Sequence, residues 1–130
     1  MSPTTNLILL GAGKVGREVI RQVQASGLPI QFIAIADSQA FVSGNPLTSA
    51  LIEAVFEIKA SGQSLAGISD ALPLQNLPGN FQTDTIVVDT SASRSLDLLP
   101  ALQAGCKLVF ANKNALSAPW LDALGYYKHP

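Results

Sequence analysis

The sequence is poor in the residues that form cross-links and bind metals. Its 130 residues include one cysteine, Cys106, and one histidine, His129. No internal disulfide can form, and these ligands are too few for a typical zinc site, so we expect no metal. Cys106 opens an apolar stretch, and we expect a buried, unreactive thiol there. We interpret His129 as part of a frayed chain end.

Charged residues and long apolar runs are also scarce. Charged residues make up 13%, and the eight Lys and Arg are balanced by nine Asp and Glu. A nucleic-acid surface needs an excess of positive charge, so no nucleic-acid partner is expected. No apolar run approaches the roughly 20 residues that span a bilayer. The N-terminal "MSPTTN" has no basic residue before its short apolar run, so we expect no signal peptide, no membrane partner and a cytoplasmic location.

The apolar residues that are present follow an ordered pattern. They make up 48% of the chain, which predicts one folded domain over residues 1–130. Strands are predicted for the apolar runs at 7–10, 30–36, 85–90 and 107–112. Helices are predicted from Val15 to a stop at Gly27 and over 47–60, 97–104 and 117–127. Residues 42–46 predict a turn, and 61–83 contain only a short helix near 64–70.

The alternation of strands and helices predicts an α/β fold. The expected architecture is Rossmann-like: a doubly wound, mostly parallel sheet with helices on both faces. Ligands bind at the carboxyl ends of the strands in such sheets. The residues that follow each predicted strand therefore carry the functional hypotheses.

The first strand is followed by "GAGKVG", in which Gly11, Gly13 and Gly16 fit the G-x-G-x-x-G pattern. The first glycine allows a tight turn, the second lets the backbone approach a pyrophosphate, and the third allows close packing of the helix. The helix then offers free N–H groups at Lys14 and Val15 to the phosphates. The alternative is a glycine-rich turn without a ligand, and the surrounding strand, helix and acidic residue favour a dinucleotide.

The acidic residue is Asp37, which ends the second predicted strand 21 residues after Gly16. The usual spacing is about 20, and an acid there binds the ribose hydroxyls of NAD and repels the 2′-phosphate of NADP. Asp37 and the adjacent Ser38 are therefore candidate cofactor residues, with a slight preference for NAD. The alternative role for Asp37 is a turn or helix-capping carboxylate. Lys59 is interpreted as a solvated lysine at a helix end, with pairing to a phosphate as the alternative.

Two later groups lie at the expected nicotinamide end. "DTSAS" (89–93) could give hydrogen bonds to a ribose or carboxamide, or it could cap a helix. "ANKNA" (111–115) places Lys113 just beyond a strand, where a partly desolvated lysine can transfer protons during hydride transfer. Taken alone, Lys113 would be a solvated turn residue.

The sequence resembles the N-terminal NAD(P)-binding domain of homoserine dehydrogenase. The resemblance covers nearly the whole chain, least clearly 40–83, and is carried by "GAGKVGREV" (11–19), "IADS" (35–38), "VVDTSAS" (87–93) and "LVFANKNALS" (108–117). It implies an NAD(P)-dependent oxidoreductase that interconverts aspartate 4-semialdehyde and homoserine, a step toward threonine, methionine and isoleucine. It implies that Lys113 acts at the active site in proton transfer or substrate binding. It also implies cofactor contacts from Thr90, Ser91, Ala92 and Asn112.

The sequence departs from that family in its length. The substrate domain of the family follows this region, whereas this chain ends at "YYKHP". We therefore expect a cofactor domain that binds a dinucleotide without turning over homoserine, from a full-length enzyme that is a homodimer. The alternatives are a stand-alone regulatory NAD-sensing module and a different semialdehyde or sugar dehydrogenase.

Overall fold

The computed structural model describes residues 4–90 and 103–110, with the side chain of residue 110 excepted. These residues contain two α-helices, α1 (Lys14–Ser26) and α2 (Ser49–Ala60). They also contain six strands: β1 (Thr5–Leu10), β2 (Ile30–Ala36), β3 (Ala40–Ser43), β4 (Leu72–Pro73), β5 (Thr85–Asp89) and β6 (Lys107–Phe110). Two 3₁₀ helices, Leu65–Gly67 and Leu74–Asn80, lie between α2 and β5.

The described strands form one sheet in the order β4-β3-β2-β1-β5-β6. The central β1 pairs in parallel with β2 and with β5, and β6 continues the parallel part beyond β5. The antiparallel pairs of the described sheet are β2 with β3 and β3 with β4, at one edge, so β3 runs against the other described strands. The mostly parallel sheet confirms the predicted Rossmann-like α/β fold. The last residue of β1, Leu10, is in register with Ala36 of β2 and Asp89 of β5, so three strands end side by side.

The two faces of the sheet bury separate apolar clusters. Alternate residues of β1 point to opposite faces, and Leu7 and Leu9 join the cluster that receives both α1 and α2. Ile8 and Leu10 join the other cluster, which contains Leu77 of the second 3₁₀ helix. Both described α-helices therefore cover the same face. The helices predicted over 97–104 and 117–127 lie almost wholly outside the described residues.

Local sequence signals explain where the helices begin and end. Gly27 ends α1 with a φ of 70°, a left-handed conformation that glycine adopts readily. The Thr48 hydroxyl accepts a hydrogen bond from the Leu51 N–H and caps the start of α2. The periodic patterns therefore place both helices correctly to within two residues. Neither helix in the described ranges is long and apolar enough to cross a membrane.

One expectation about the chain between β2 and α2 was wrong in part. Residues 42–46 were predicted as a turn, yet residues 42 and 43 belong to strand β3. The buried Phe41 and Val42 pack into the core from this strand. Turn residues follow directly, and the turn proper begins at Gly44, whose N–H donates to the Ile33 carbonyl at 3.0 Å.

Candidate functional site

The glycine turn between β1 and α1 lies where the three parallel strands end. Gly11 has a φ of 104°, which strains any residue with a side chain. Its N–H donates to the Ala36 carbonyl of β2 at 2.7 Å. Gly16, in the first turn of α1, is buried, and a Cβ built on it would overlap the Gly11 carbonyl group. Two of the three predicted glycines are therefore required by the shape of the turn itself.

Gly13 is different, because nothing in the protein crowds it. It is exposed, and a Cβ built on it would meet no atom within 4 Å. It stands at the N-cap of α1, with no side chain to cap the helix and no acidic residue in the first turn. The first N–H groups of a helix have no partners within the helix, and this end carries a partial positive charge. The open, uncapped helix start that includes Lys14 and Val15 fits a phosphate group.

Thr90, directly after β5, reaches across the sheet to this turn. Its N–H donates to the Leu10 carbonyl at 2.8 Å. Its Oγ1 lies 3.0 Å from the Leu10 carbonyl oxygen and 3.1 Å from the Gly11 carbonyl oxygen. The sequence led us to expect a cofactor contact from Thr90, and the structure shows a half-buried side chain held by the glycine turn.

Asp37, directly after β2, is 6% exposed and its carboxylate is held by the protein. Oδ1 accepts hydrogen bonds from the N–H groups of Gln39 at 2.8 Å and Ala40 at 3.0 Å. Oδ2 accepts one from the Leu65 N–H at 2.6 Å and one from Lys59 Nζ at 3.2 Å. The contacts to Gln39 and Ala40 are those of the turn-forming aspartate weighed as the alternative. The ribose contact stays a prediction.

The same contacts set the charge of this site. Burial alone would raise the pKa of the Asp37 carboxyl, but the N–H groups of Leu65, Gln39 and Ala40 and the Lys59 ammonium outweigh it. The pKa is therefore held below the ordinary value of 3.8.

The side chain of Lys59 is 21% exposed and forms an ion pair with Asp37. The expectation of a solvated lysine at a helix end was wrong, because the carboxylate draws the ammonium inward.

The other predicted residues divide into two groups. Ser38 is exposed at the end of β2, next to the Asp37 turn, where a ligand can reach it. Ser91, Ala92, Asn112 and Lys113 lie outside the described residues. Sequence reasoning missed the contact between Leu65 and Asp37, which joins residues 28 positions apart. No local pattern marks such a contact.

Cys106 and the other metal-binding residue types give no sign of a metal centre in the described ranges. Across 4–90 and 103–110, no three His, Cys, Asp or Glu residues come together as metal ligands.

Cys106 is 6% exposed, and the Sγ of its thiol donates to the Gln82 carbonyl at 3.2 Å. Burial raises the pKa of its thiol, and the hydrogen bond to Gln82 offsets this only in part. The buried, unreactive thiol expected from the sequence is consistent with this setting.

A family match identifies the class of ligand that a domain of this kind binds. The sequence model described as "Homoserine dehydrogenase, NAD binding domain" matches residues 11–123, from the first glycine of the turn onward. The chain belongs to this family. A homoserine dehydrogenase NAD-binding domain holds a nicotinamide dinucleotide, and the open helix start at Gly13 fits the phosphates of that cofactor.

One solved structure agrees with this family assignment, and a second agrees with the fold. The chain is 27% identical to homoserine dehydrogenase from Thermoplasma acidophilum, with a TM-score of 0.57. That match covers 95% of this chain and 40% of the other, so the chain spans well under half of that enzyme's length. Glutamate dehydrogenase from Plasmodium falciparum matches with 15% identity and a TM-score of 0.63, over 95% of this chain and 28% of the other. The latter similarity shows the fold alone. No curated protein sequence matched the chain significantly.

Proposed function

We propose that this chain is the cofactor domain of an NAD(P)-dependent homoserine dehydrogenase, which interconverts aspartate 4-semialdehyde and homoserine. The reaction is a step toward threonine, methionine and isoleucine. The observation that carries the cofactor-binding part of the proposal is the open, uncapped start of α1 at Gly13, directly after the glycine turn that follows β1. The family match over residues 11–123 and the similarity to the Thermoplasma acidophilum homoserine dehydrogenase support it.

In this proposal the residues of the chain bind and orient the cofactor. The backbone N–H groups of Lys14, Val15 and Gly16 receive the pyrophosphate, and the absence of a side chain at Gly13 lets it approach. The exposed Ser38 lies beside the adenosine ribose, and Ser91, Ala92 and Asn112 contact the nicotinamide half. The bound cofactor supplies hydride transfer. Lys113 supplies or removes the proton on the substrate oxygen.

The preference between NAD and NADP depends on Asp37. The slight preference for NAD expected from the sequence requires its carboxylate to face the ribose. That carboxylate already accepts four hydrogen bonds, and Lys59 places an ammonium 3.2 Å from it. This arrangement supports a domain that accepts both cofactors.

The test of the role of Asp37 compares the NADH and NADPH affinities of the unchanged chain with those of Asp37→Asn. If the ratio of NADH affinity to NADPH affinity changes several-fold, Asp37 contacts the ribose directly. An unchanged ratio supports its role in the turn.

The substrate part of the active site is proposed to lie outside these 130 residues. The chain spans 40% of the Thermoplasma acidophilum homoserine dehydrogenase, which supports a cofactor domain without the substrate domain. The enzyme as a whole is proposed to be a cytoplasmic homodimer.

The experiment that tests this function is a titration of the purified chain with NADH and with NADPH, followed by nucleotide fluorescence. We expect saturable binding of at least one of them, and no oxidation of homoserine when the chain alone is given NAD⁺ or NADP⁺ as the hydride acceptor. Homoserine oxidation by the chain alone would overturn the division into domains. Absence of saturable binding would overturn the proposed function.

A further inference from the structure

The Gly11 carbonyl group is fixed from two sides by residues distant in sequence. On one side lies Gly16, where any Cβ would overlap this carbonyl. On the other side lies the hydroxyl of Thr90, 79 residues away, with its Oγ1 3.1 Å from the Gly11 oxygen. The same Oγ1 would lie 3.1 Å from a Cβ at Gly16. Thr90 and Gly16 therefore enclose one carbonyl group of the turn.

The side chain of Thr90 makes a contact that its backbone does not make. The Thr90 N–H donates to the Leu10 carbonyl at 2.8 Å, and almost any residue would keep this bond. The hydroxyl has one proton, which it donates to the Leu10 or the Gly11 carbonyl, at 3.0 and 3.1 Å. The second carbonyl belongs to Gly11, whose φ is 104°, and because glycine restricts its own backbone little, the direction of the carbonyl depends on contacts such as this one. A valine at this position would match the shape and lack the proton.

We propose that Thr90 is a positioning residue for the phosphate-binding turn, acting through Gly11 and Gly16 on the start of α1. This inference rests on the proposed function, because it assumes that the turn binds a dinucleotide. It differs from a direct contact between the Thr90 hydroxyl and the nicotinamide ribose or carboxamide. The hydroxyl donates its proton to the Leu10 or Gly11 carbonyl, so the contact that the structure shows acts on the turn.

The two roles differ in which ligands they affect. ADP contains the adenosine and phosphate parts of the cofactor and lacks the nicotinamide half. A residue that positions the turn alters the affinities for ADP and NADH by the same factor. A residue that contacts the nicotinamide half alters the affinity for NADH alone.

The experiment compares Thr90→Val and Thr90→Ser with the unchanged chain. For Thr90→Val we expect about a threefold to tenfold loss of affinity for both NADH and ADP, the size of one lost hydrogen bond. Thr90→Ser keeps the hydroxyl and is expected to restore both affinities. The titrations are done well below the melting temperature of each variant, so that a loss of stability alone leaves the affinities unchanged. If Thr90→Val does not fold, Thr90→Ala against Thr90→Ser gives the same comparison.

Two results would overturn the inference while leaving the proposed function intact. One is a loss of NADH affinity with ADP affinity unchanged, which assigns the hydroxyl to the nicotinamide half. The other is unchanged affinity for both ligands in Thr90→Val. If the unchanged chain binds neither nucleotide, the proposed function fails and this inference fails with it.

Discussion

The Nζ atom of Lys59 lies 3.2 Å from Oδ2 of Asp37 and joins the end of α2 to the end of β2. The Leu65 N–H donates to the same oxygen, so one carboxylate connects β2 to the segment that follows α2. Its other oxygen holds the short connection to β3 through Gln39 and Ala40. The acid at the end of β2 thus organises the part of the domain next to the expected ribose site.

Replacing this carboxylate is predicted to destabilise the domain. Asp37→Asn removes the charge and turns one acceptor into a donor that faces the Leu65 N–H or the Lys59 ammonium. We expect a loss of about 2–3 kcal/mol in the free energy of unfolding at pH 7, because charge-assisted hydrogen bonds to a buried group are lost. Chemical denaturation measures it. Asp70→Asn, at an exposed aspartate, is the control and should change stability little.

The effect of Asp37 is predicted to depend on pH. Because folding lowers the pKa of this carboxyl below 3.8, its stabilising contribution is present above that value. It is lost as the pH falls through the lower pKa of the folded state. The difference in unfolding free energy between the unchanged chain and Asp37→Asn should therefore narrow in acid below pH 3.8. A difference that stays constant through this range would contradict the assignment.

Two glycines of the turn are predicted to respond differently to alanine. Gly16→Ala places a Cβ onto the Gly11 carbonyl, and we expect a loss of about 2 kcal/mol in stability together with weaker NADH binding. Gly13→Ala places its Cβ in open space, so stability should stay within about 1 kcal/mol. NADH affinity should nevertheless fall about tenfold in Gly13→Ala, because the methyl group intrudes where the phosphates approach. Thermal unfolding and NADH titration of both variants separate the two effects. Equal stability of the two variants would contradict the packing role of Gly16.

The thiol of Cys106 is predicted to be protected in the folded state. It is buried, it donates to the Gln82 carbonyl, and burial raises its pKa, so little reactive thiolate forms. A disulfide reagent at pH 8 should modify the native chain much more slowly than the chain in denaturant. In denaturant it should modify one thiol per chain. Rapid modification under native conditions would place the thiol on the surface.

The sequence predicted the parts of the site that depend on neighbouring residues. The glycine turn, the start of α1 and the position of Asp37 after β2 all follow from local patterns of apolar residues and glycines. The hydrogen bond that Asp37 accepts from the Leu65 N–H joins residues 28 positions apart. The contact of Thr90 with the Gly11 carbonyl joins residues 79 positions apart. Such contacts depend on which strands become neighbours in the sheet. Strand β3 was missed because its four residues, AFVS, run directly into turn residues.

The central claim is that the start of α1 binds the phosphates of a dinucleotide, and a pair of charge variants tests it. Gly13→Asp adds a carboxylate at the N-cap, where aspartate favours the helix, so the fold should keep its stability. Gly79→Asp adds the same charge at an equally open glycine in the second 3₁₀ helix. Gly79 lies toward the opposite end of β1 from Gly13. Its neighbour Asn80 lines a cavity together with Asn6, near the start of β1, whereas Gly13 comes after the last residue of β1.

The decisive measurement is the NADH affinity of these two variants beside that of the unchanged chain. We predict saturable NADH binding by the unchanged chain and by Gly79→Asp, with about a hundredfold loss in Gly13→Asp, since a carboxylate facing a phosphate costs several kcal/mol. Equal NADH affinity in Gly13→Asp and Gly79→Asp, with both variants folded, would contradict the claim that the phosphates lie at the start of α1.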